Sequence, residues 1–264
     1  MSTVVKALSL LDLFSEDRAR LTLSAFQRLS GRDKATVHRY LTALESIGFL
    51  EQDEDTRSYR LGHAIDRLAA MRRATVDEGE TIAPLIERIS AQLGELVHVN
   101  RLAGSDLRQI HQADLGQNTV RVTIDPALRL PLLRTSSGKV ILAFLAPQSR
   151  AALLEEANER PAPSDEHAFE RYARQGYAQS QDLMEAGVSS IAIPLFDAKG
   201  LPFAACSVAY PTSRQSEGQL AGCIQILCHH GPELTRRLGG TVPEPVLALW
   251  CAACGRTDNT RKRA

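Results

Sequence analysis

The chain has 264 residues, 44% hydrophobic and 23% charged, an ordinary balance for a globular protein with apolar material for one or two domains. Its 31 Lys+Arg equal its 31 Asp+Glu, so net charge alone predicts no polyanionic partner. No stretch approaches the roughly 20 apolar residues that span a bilayer; the N-terminal VVKALSLLDLF is broken by Lys6 and Asp12 and lacks a cleavage site; and five scattered cysteines make no secreted disulfide framework, so a cytoplasmic protein without membrane partner or cofactor is expected.

In chain order, residues 4–15 repeat apolar side chains at helical spacing: Val4, Leu8 and Leu11, with Ala7 and Phe14 alongside. In LTLSAFQRLSG, Ser24 with Gln27 three positions on reads as a capping box, and Gly31 as a stop. A third helix is expected over residues 33–47, with Asp33 suited to its N-terminus and Gly48 at its end. FLEQDEDTRSYRLG then reads as two short strands, 49–52 and 57–61, around DEDT. Three helices followed by a hairpin make a winged helix-turn-helix.

The third helix is two-sided. Val37, Leu41 and Leu44 fall on one stripe, continued by Ile47, and read as core. Ala35, Arg39 and Thr42 fall opposite, flanked by Thr36 and His38. Residues 18–39 carry six basic side chains (Arg18, Arg20, Arg28, Arg32, Lys34, Arg39) against one acid, Asp33, while residues 43–56 carry five acids and no base. Such a run is most often a solvated face. Here it coincides with the helix whose N-terminal part enters a major groove, so double-stranded operator DNA is the expected partner. The expected contacts are Arg28, Lys34, Ala35, Thr36, His38, Arg39 and Thr42, with Arg57 and Arg60 from the hairpin.

HAIDRLAAMRRATV, residues 63–76, predicts a linker helix with Ile65, Leu68, Ala69 and Met71 on one side. TIAPLIERISAQLG reads as an amphipathic helix, and LVHVNRL and NTVRVTI as half-buried strands. TSSGKVILAFL starts a helix, and two more follow over 147–158 and 165–175. VSSIAIPLFDAKGLPFAACSVAY predicts two strands around DAKG, before a last helix over 215–238. This order implies an α+β domain on one antiparallel sheet. The expected divisions are a DNA-binding domain over 1–62, a linker over 63–78, a second domain over 79–240 and a flexible tail over 241–264.

The set VVKALSLLDLF, LTLSAFQRLSG, KATVHRYLTALESIGFLEQ, RSYRLG, RLPLLRTSSGKVILAFL, RQGYAQS, GVSSIAIPLFD, GLPFAACSV and LTRRLG, in this order over residues 3–240, resembles the isocitrate lyase regulator (IclR) family of bacterial transcription factors. The resemblance implies a non-enzymatic regulator: a winged helix for DNA, a GAF/profilin-like antiparallel sheet with flanking helices that binds a small effector, and assembly as a dimer or dimer of dimers. Asp33, Ala35 and Leu133 stand where the family usually has Pro, Ser and His.

TSSGK invites catalytic readings. Ser136 and Lys139 fit a Ser-x-x-Lys nucleophile pair, the basis of an alternative hydrolase reading, but its companion motifs are missing. A phosphate loop fails because its first Gly would fall at Leu133. Ser136 and Ser137 at a helix start instead suit a carboxylate. Ser190 and Ser207 match positions the family uses to line its pocket, with Ala192 and Ala209 two residues on and on the same sheet face. Leu132 is expected on the apolar wall, and no acid is evident in the set. A small mono- or dicarboxylate is the expected effector. Cys251-x-x-Cys254, with Cys223, Cys228, His229 and His230 upstream, raises a thiol or zinc sensor, but the spacing is poor for shared ligation, so no metal is expected.

Overall fold

The computed structural model describes residues 2–15, 18–125 and 127–255, and it divides into two compact units, Met1–Val76 and Asp77–Ala264. In the first unit, α1 (Thr3–Leu8), α2 (Leu23–Ser30) and α3 (Lys34–Ser46) precede an antiparallel hairpin of β1 (Leu50–Gln52) and β2 (Tyr59–Leu61), then α4 (His63–Thr75). The linker helix thus clusters with the first unit.

Three local expectations are corrected here. The N-terminal helix ends at Leu8, and a single 3-10 turn, Leu11–Leu13, follows. This changes the phase of the apolar stripe, so Leu10 is buried while Val4 and Leu8 are exposed. Thr22, not Ser24, caps α2: its hydroxyl accepts from the Ala25 amide. Ile47 is 58% exposed because it stands at the C-cap, past the last helical residue. The rest of the α3 stripe, Val37, Leu41 and Leu44, is buried with Tyr40. Phe26 meets Phe14 and Tyr59 edge-to-face, with ring centroids 5.5 and 6.2 Å apart, and closes this core.

The second unit contains α5 (Glu78–Leu93), β3 (Leu96–Ala103), β4 (Asp106–Ala113), α6 (Ser136–Phe144), α7 (Pro147–Glu156), α8 (Pro163–Gln175), β5 (Ala178–Gln181), β6 (Val188–Phe196), β7 (Pro202–Pro211), α9 (Glu217–Arg237) and α10 (Glu244–Ala253). The strands form one antiparallel sheet in the order β4-β3-β7-β6-β5. Alternation along β6 sends Ile191, Ile193 and Leu195 into a core with α5 and α9, and Ala192 into a second core with α6 and α8.

Residues 118–124 were expected as a strand and are not one; the edge strand is β4 instead. The segment alternates, but side chains tether the chain around it. The Ser90 hydroxyl accepts from the Leu115 amide at 2.8 Å, and Asn118 Nδ2 donates to Gly94 O at 3.1 Å. Arg214 donates to Val120 O at 2.9 Å while its other nitrogens grip the buried Glu95 carboxylate at 2.8 and 2.6 Å.

The flexible tail is also corrected. Residues 244–253 form α10, and Trp250 is fully buried, donating Nε1–H to Gly176 O at 2.9 Å. A Cβ at Gly231 of α9 would lie 2.6 Å from the indole, so a glycine is needed beneath it. Residues 256–264 of the expected tail lie outside the described residues. Trp250→Ala is expected to cost about 3–5 kcal/mol of unfolding free energy. Urea titration of both proteins measures it, and a loss within about 0.5 kcal/mol would show that α10 contributes no packing.

Candidate functional site

The first unit presents a polar cleft at the start of α3. The Asp33 carboxylate accepts from the Thr36 amide at 2.8 Å, which caps the helix and lowers the Asp33 pKa. Lys34, Ala35, His38, Arg39 and Thr42 are exposed on α3, Thr36 is half-buried, and Arg28 is exposed on α2. At the hairpin tip the Asp53 carboxylate is held well below the usual range, first by the Thr56 amide and then by Arg20, which it meets at 2.7 Å. Arg57 sits in this tip with φ 55° and its side chain exposed. Lys34, His38 and Arg57 line one open cleft of about 320 Å³ with Thr22, Ser24, Gln52 and Thr56. Arg60 is exposed but ion-paired to Glu51 at 2.9 Å. Thr22, Ser24, Gln52 and Thr56 were not among the expected residues, because only the fold brings α2 and the hairpin to the start of α3.

The second unit holds a cavity at the start of α6. Thr135 caps the helix, accepting from the Gly138 amide at 3.1 Å and donating to Pro131 O at 2.8 Å. Glu159 accepts from the Leu132 and Leu133 amides at 2.7 and 2.9 Å and fixes the approach. A Cβ at Gly138 would overlap the Leu132 backbone, so only glycine allows this approach. The Ser136 and Ser137 amides, first in the helix, have no intrahelical acceptor. Ser136, Ser137, Ser190 and Ala209 line a cavity of about 120 Å³.

Three other expected residues do not line it. Ser207 lies behind the wall, its hydroxyl 2.6 Å from that of Ser137. Leu132 and Ala192 are wholly buried in the core between α6 and the sheet. The same-face expectation itself is met: Ser190 pairs with Ala209 and Ala192 with Ser207. The remaining lining is His98, Val122, Thr123, Ile124, Asp125, Leu128, Leu130, Thr135, Met184, Glu185 and Val188. Two acids are therefore present where none was expected. Burial pushes His98 down to about 4, so its ring is neutral at pH 7. His98 entered the wall through its register opposite Ser207, which no local pattern reveals.

Residues 3–54 match the family model described as the IclR helix-turn-helix domain, and residues 74–235 the one described as bacterial transcriptional regulator IclR C-terminal. The chain belongs to the IclR family of bacterial transcriptional regulators. The HTH-type transcriptional regulator XynR of Escherichia coli K12 is 28% identical over 90% of this chain and 98% of its own. A crystal structure of an IclR regulator from Silicibacter sp. TM1040 is 35% identical, with a TM-score of 0.82 over 93% of this chain and 99% of its own. An IclR homolog from Microbacterium hydrocarbonoxydans, complexed with 4-hydroxybenzoate, shares the fold at 23% identity and a TM-score of 0.52 over 90% and 99% of the two chains.

IclR proteins are DNA-binding regulators and not enzymes. Lys139 is buried with its pKa lowered, by desolvation first, and it carries no hydrogen bond to Ser136. Burial pushes the Cys206, Cys223 and Cys228 thiols up to about 12, which makes them poor nucleophiles. Cys254 donates to Gln225 O at 3.4 Å. Among the described residues no three His, Cys, Asp or Glu side chains stand together as a metal-binding group, and no helix is long and apolar enough to cross a membrane.

Because Arg214 ties the segment that walls the cavity to a buried carboxylate, Arg214→Met leaves Glu95 without its charge partner. A loss of about 3–5 kcal/mol is expected in denaturant titrations. A variant as stable as the parent would show that the tether is not structural.

Proposed function

We propose that this regulator responds to a small carboxylate held at the start of α6 and binds a roughly palindromic operator of a catabolic operon as a dimer or dimer of dimers. The observation that carries the effector reading is the buried end of the cavity. There Ser136 and Ser137, whose amides have no intrahelical acceptor, line the wall beside Val122, Leu130 and Val188. A carboxylate would satisfy those donors and meet the positive end of the α6 dipole. That a homolog of this fold is complexed with 4-hydroxybenzoate supports a carboxylate here.

The operator reading rests on the cleft of Lys34, His38 and Arg57, with Arg39 exposed beside it. A single winged helix offers few contacts, which favours paired half-sites. The apolar side of α4, with Leu68 and Met71 42% and 54% exposed and Ile65 half-buried, supports self-association through this helix. Effector binding would then shift the spacing of paired winged helices and with it operator affinity.

Two measurements test this. Arg39→Ala should weaken operator binding by about 1–3 kcal/mol in fluorescence anisotropy, with relaxed preference at one base pair or a shallower salt dependence; unchanged affinity removes Arg39 from the interface. Ser136→Leu fills the buried end of the cavity. It should lower carboxylate affinity by about tenfold or more in calorimetry while operator binding of the free protein persists. A carboxylate that binds both proteins equally would place the pocket elsewhere.

A further inference from the structure

The two ends of the cavity differ in chemistry, and the difference selects within the carboxylate class; the inference rests on that reading. At the buried end stand Ser136, Ser137 and His98, the last 4% exposed. Asn100, on the same strand and fully buried, places Nδ2 2.9 Å from His98 Nδ1 and 3.2 Å from the Ser137 hydroxyl. Both Asn100 amide hydrogens are thereby used, and only Oδ1 stays unpaired. The reversed amide would strand two buried donors in place of one acceptor, which decides the orientation. His98 Nδ1 therefore accepts, and the neutral ring carries its proton on Nε2. That N–H has no protein partner among the described residues and belongs to a ring in the cavity wall. The Ser136 hydroxyl likewise bonds no protein group among the described residues, although the residue is 1% exposed. The buried end thus offers donors and no carboxylate.

At the exposed end the wall includes Asp125 and Glu185, with Met184 and Leu128 beside them. Asp125 Oδ1 accepts from the Ala127 amide at 2.9 Å, which leaves Oδ2 available. Among the described residues no basic side chain lines this cavity. A ligand anchored by one carboxylate at the buried end would turn its far end towards these two acids. A second carboxylate there meets like charge in a partly desolvated mouth; a hydroxyl donates to it.

We propose that Asp125 and Glu185 restrict the effector to monocarboxylates carrying a hydroxyl at the far end, and that His98 Nε2–H is a further donor to the buried carboxylate. The structure thereby excludes dicarboxylates of the same length, which helix-start chemistry alone would accept.

Calorimetry on the full chain tests this with two matched pairs: 4-(hydroxymethyl)benzoate against benzene-1,4-dicarboxylate, and 4-hydroxybutanoate against succinate. The hydroxy acid of the better-fitting pair should bind the parent at least about tenfold more tightly than its diacid. Asp125→Asn combined with Glu185→Gln should collapse that ratio by admitting the diacid. His98→Leu should weaken both members of the pair by a similar factor, and His98→Gln, which keeps an N–H donor, should recover part of the loss; thermal unfolding checks that each variant is folded. A diacid that binds the parent as tightly as its hydroxy acid overturns the proposal, as does a ratio unchanged in the double variant. A folded His98→Leu protein with parental affinity removes His98 from the site. If none of the four carboxylates binds the parent, the carboxylate reading itself fails, and this proposal with it; a preference for diacids defeats the proposal alone.

Discussion

The second unit depends on how closely α6 lies against its sheet. All but the last residue of this helix are buried, and its start is drawn in until Gly138 touches the backbone of Leu132. The sheet allows the approach because its facing residues are small: Ser190, Ala192, Ser207 and Ala209 form two directly paired rows on β6 and β7. Larger side chains there would lift the helix away. The same closeness brings the Ser137 and Ser207 hydroxyls within 2.6 Å and sets Ser136 and Ser137 in the wall of a cavity rather than in solvent. Packing geometry and binding chemistry are thus one arrangement, since a helix can point unsatisfied amides at a ligand only where the chain before it is held out of the way. Glu159 does that holding, by accepting from the Leu132 and Leu133 amides.

A second constraint sets the outer wall. The segment after β4 has the alternation of a strand but runs as irregular chain, fixed by Ser90, Asn118 and Arg214. Arg214 binds a buried carboxylate and a backbone carbonyl together, so it joins the cavity wall to the β3 side of the sheet. A wall made of tethered loop leaves Asp125 at the mouth, where a regular strand would have hidden half of its side chains. On the proposal above, the charge at the mouth would separate ligands that the buried end would hold alike.

In the first unit the corresponding devices are caps. Asp33 starts the recognition helix and Asp53 organises the hairpin tip, each by accepting from a backbone amide three residues on. Asp33 stands among basic residues and Asp53 in an acidic turn, yet the charge of each is spent on the protein's own amides, and that of Asp53 on Arg20 as well. The cations left at the cleft, Lys34 and Arg57, are what a phosphate backbone would meet. Arg57 reaches its place through a left-handed backbone conformation in a turn closed by Asp53 and Ser58.

The sequence by itself determined the elements whose chemistry is local. The helices and hairpin, the α3 stripe of Val37, Leu41 and Leu44, the Asp33 cap, the helix start at Ser136 and the shared face of Ser190 with Ala192 and of Ser207 with Ala209 follow from helical and strand periods and from local capping chemistry. Ordered motifs along the chain carried the family with them. Tertiary structure decided the rest. Whether an alternating segment becomes a strand depends on a partner for its amides, and residues 118–124 found side-chain tethers nearby instead. Whether a C-terminal segment docks depends on a hole for Trp250, supplied by Gly231 and Gly176 far away in the chain. Leu132, Ala192 and Ser207 share the pocket's elements but not its surface, while His98, Asp125 and Glu185 join it from three other segments. Side chains line a cavity by sheet register and loop path, and both are set by contacts between residues too distant in sequence for any local period to record.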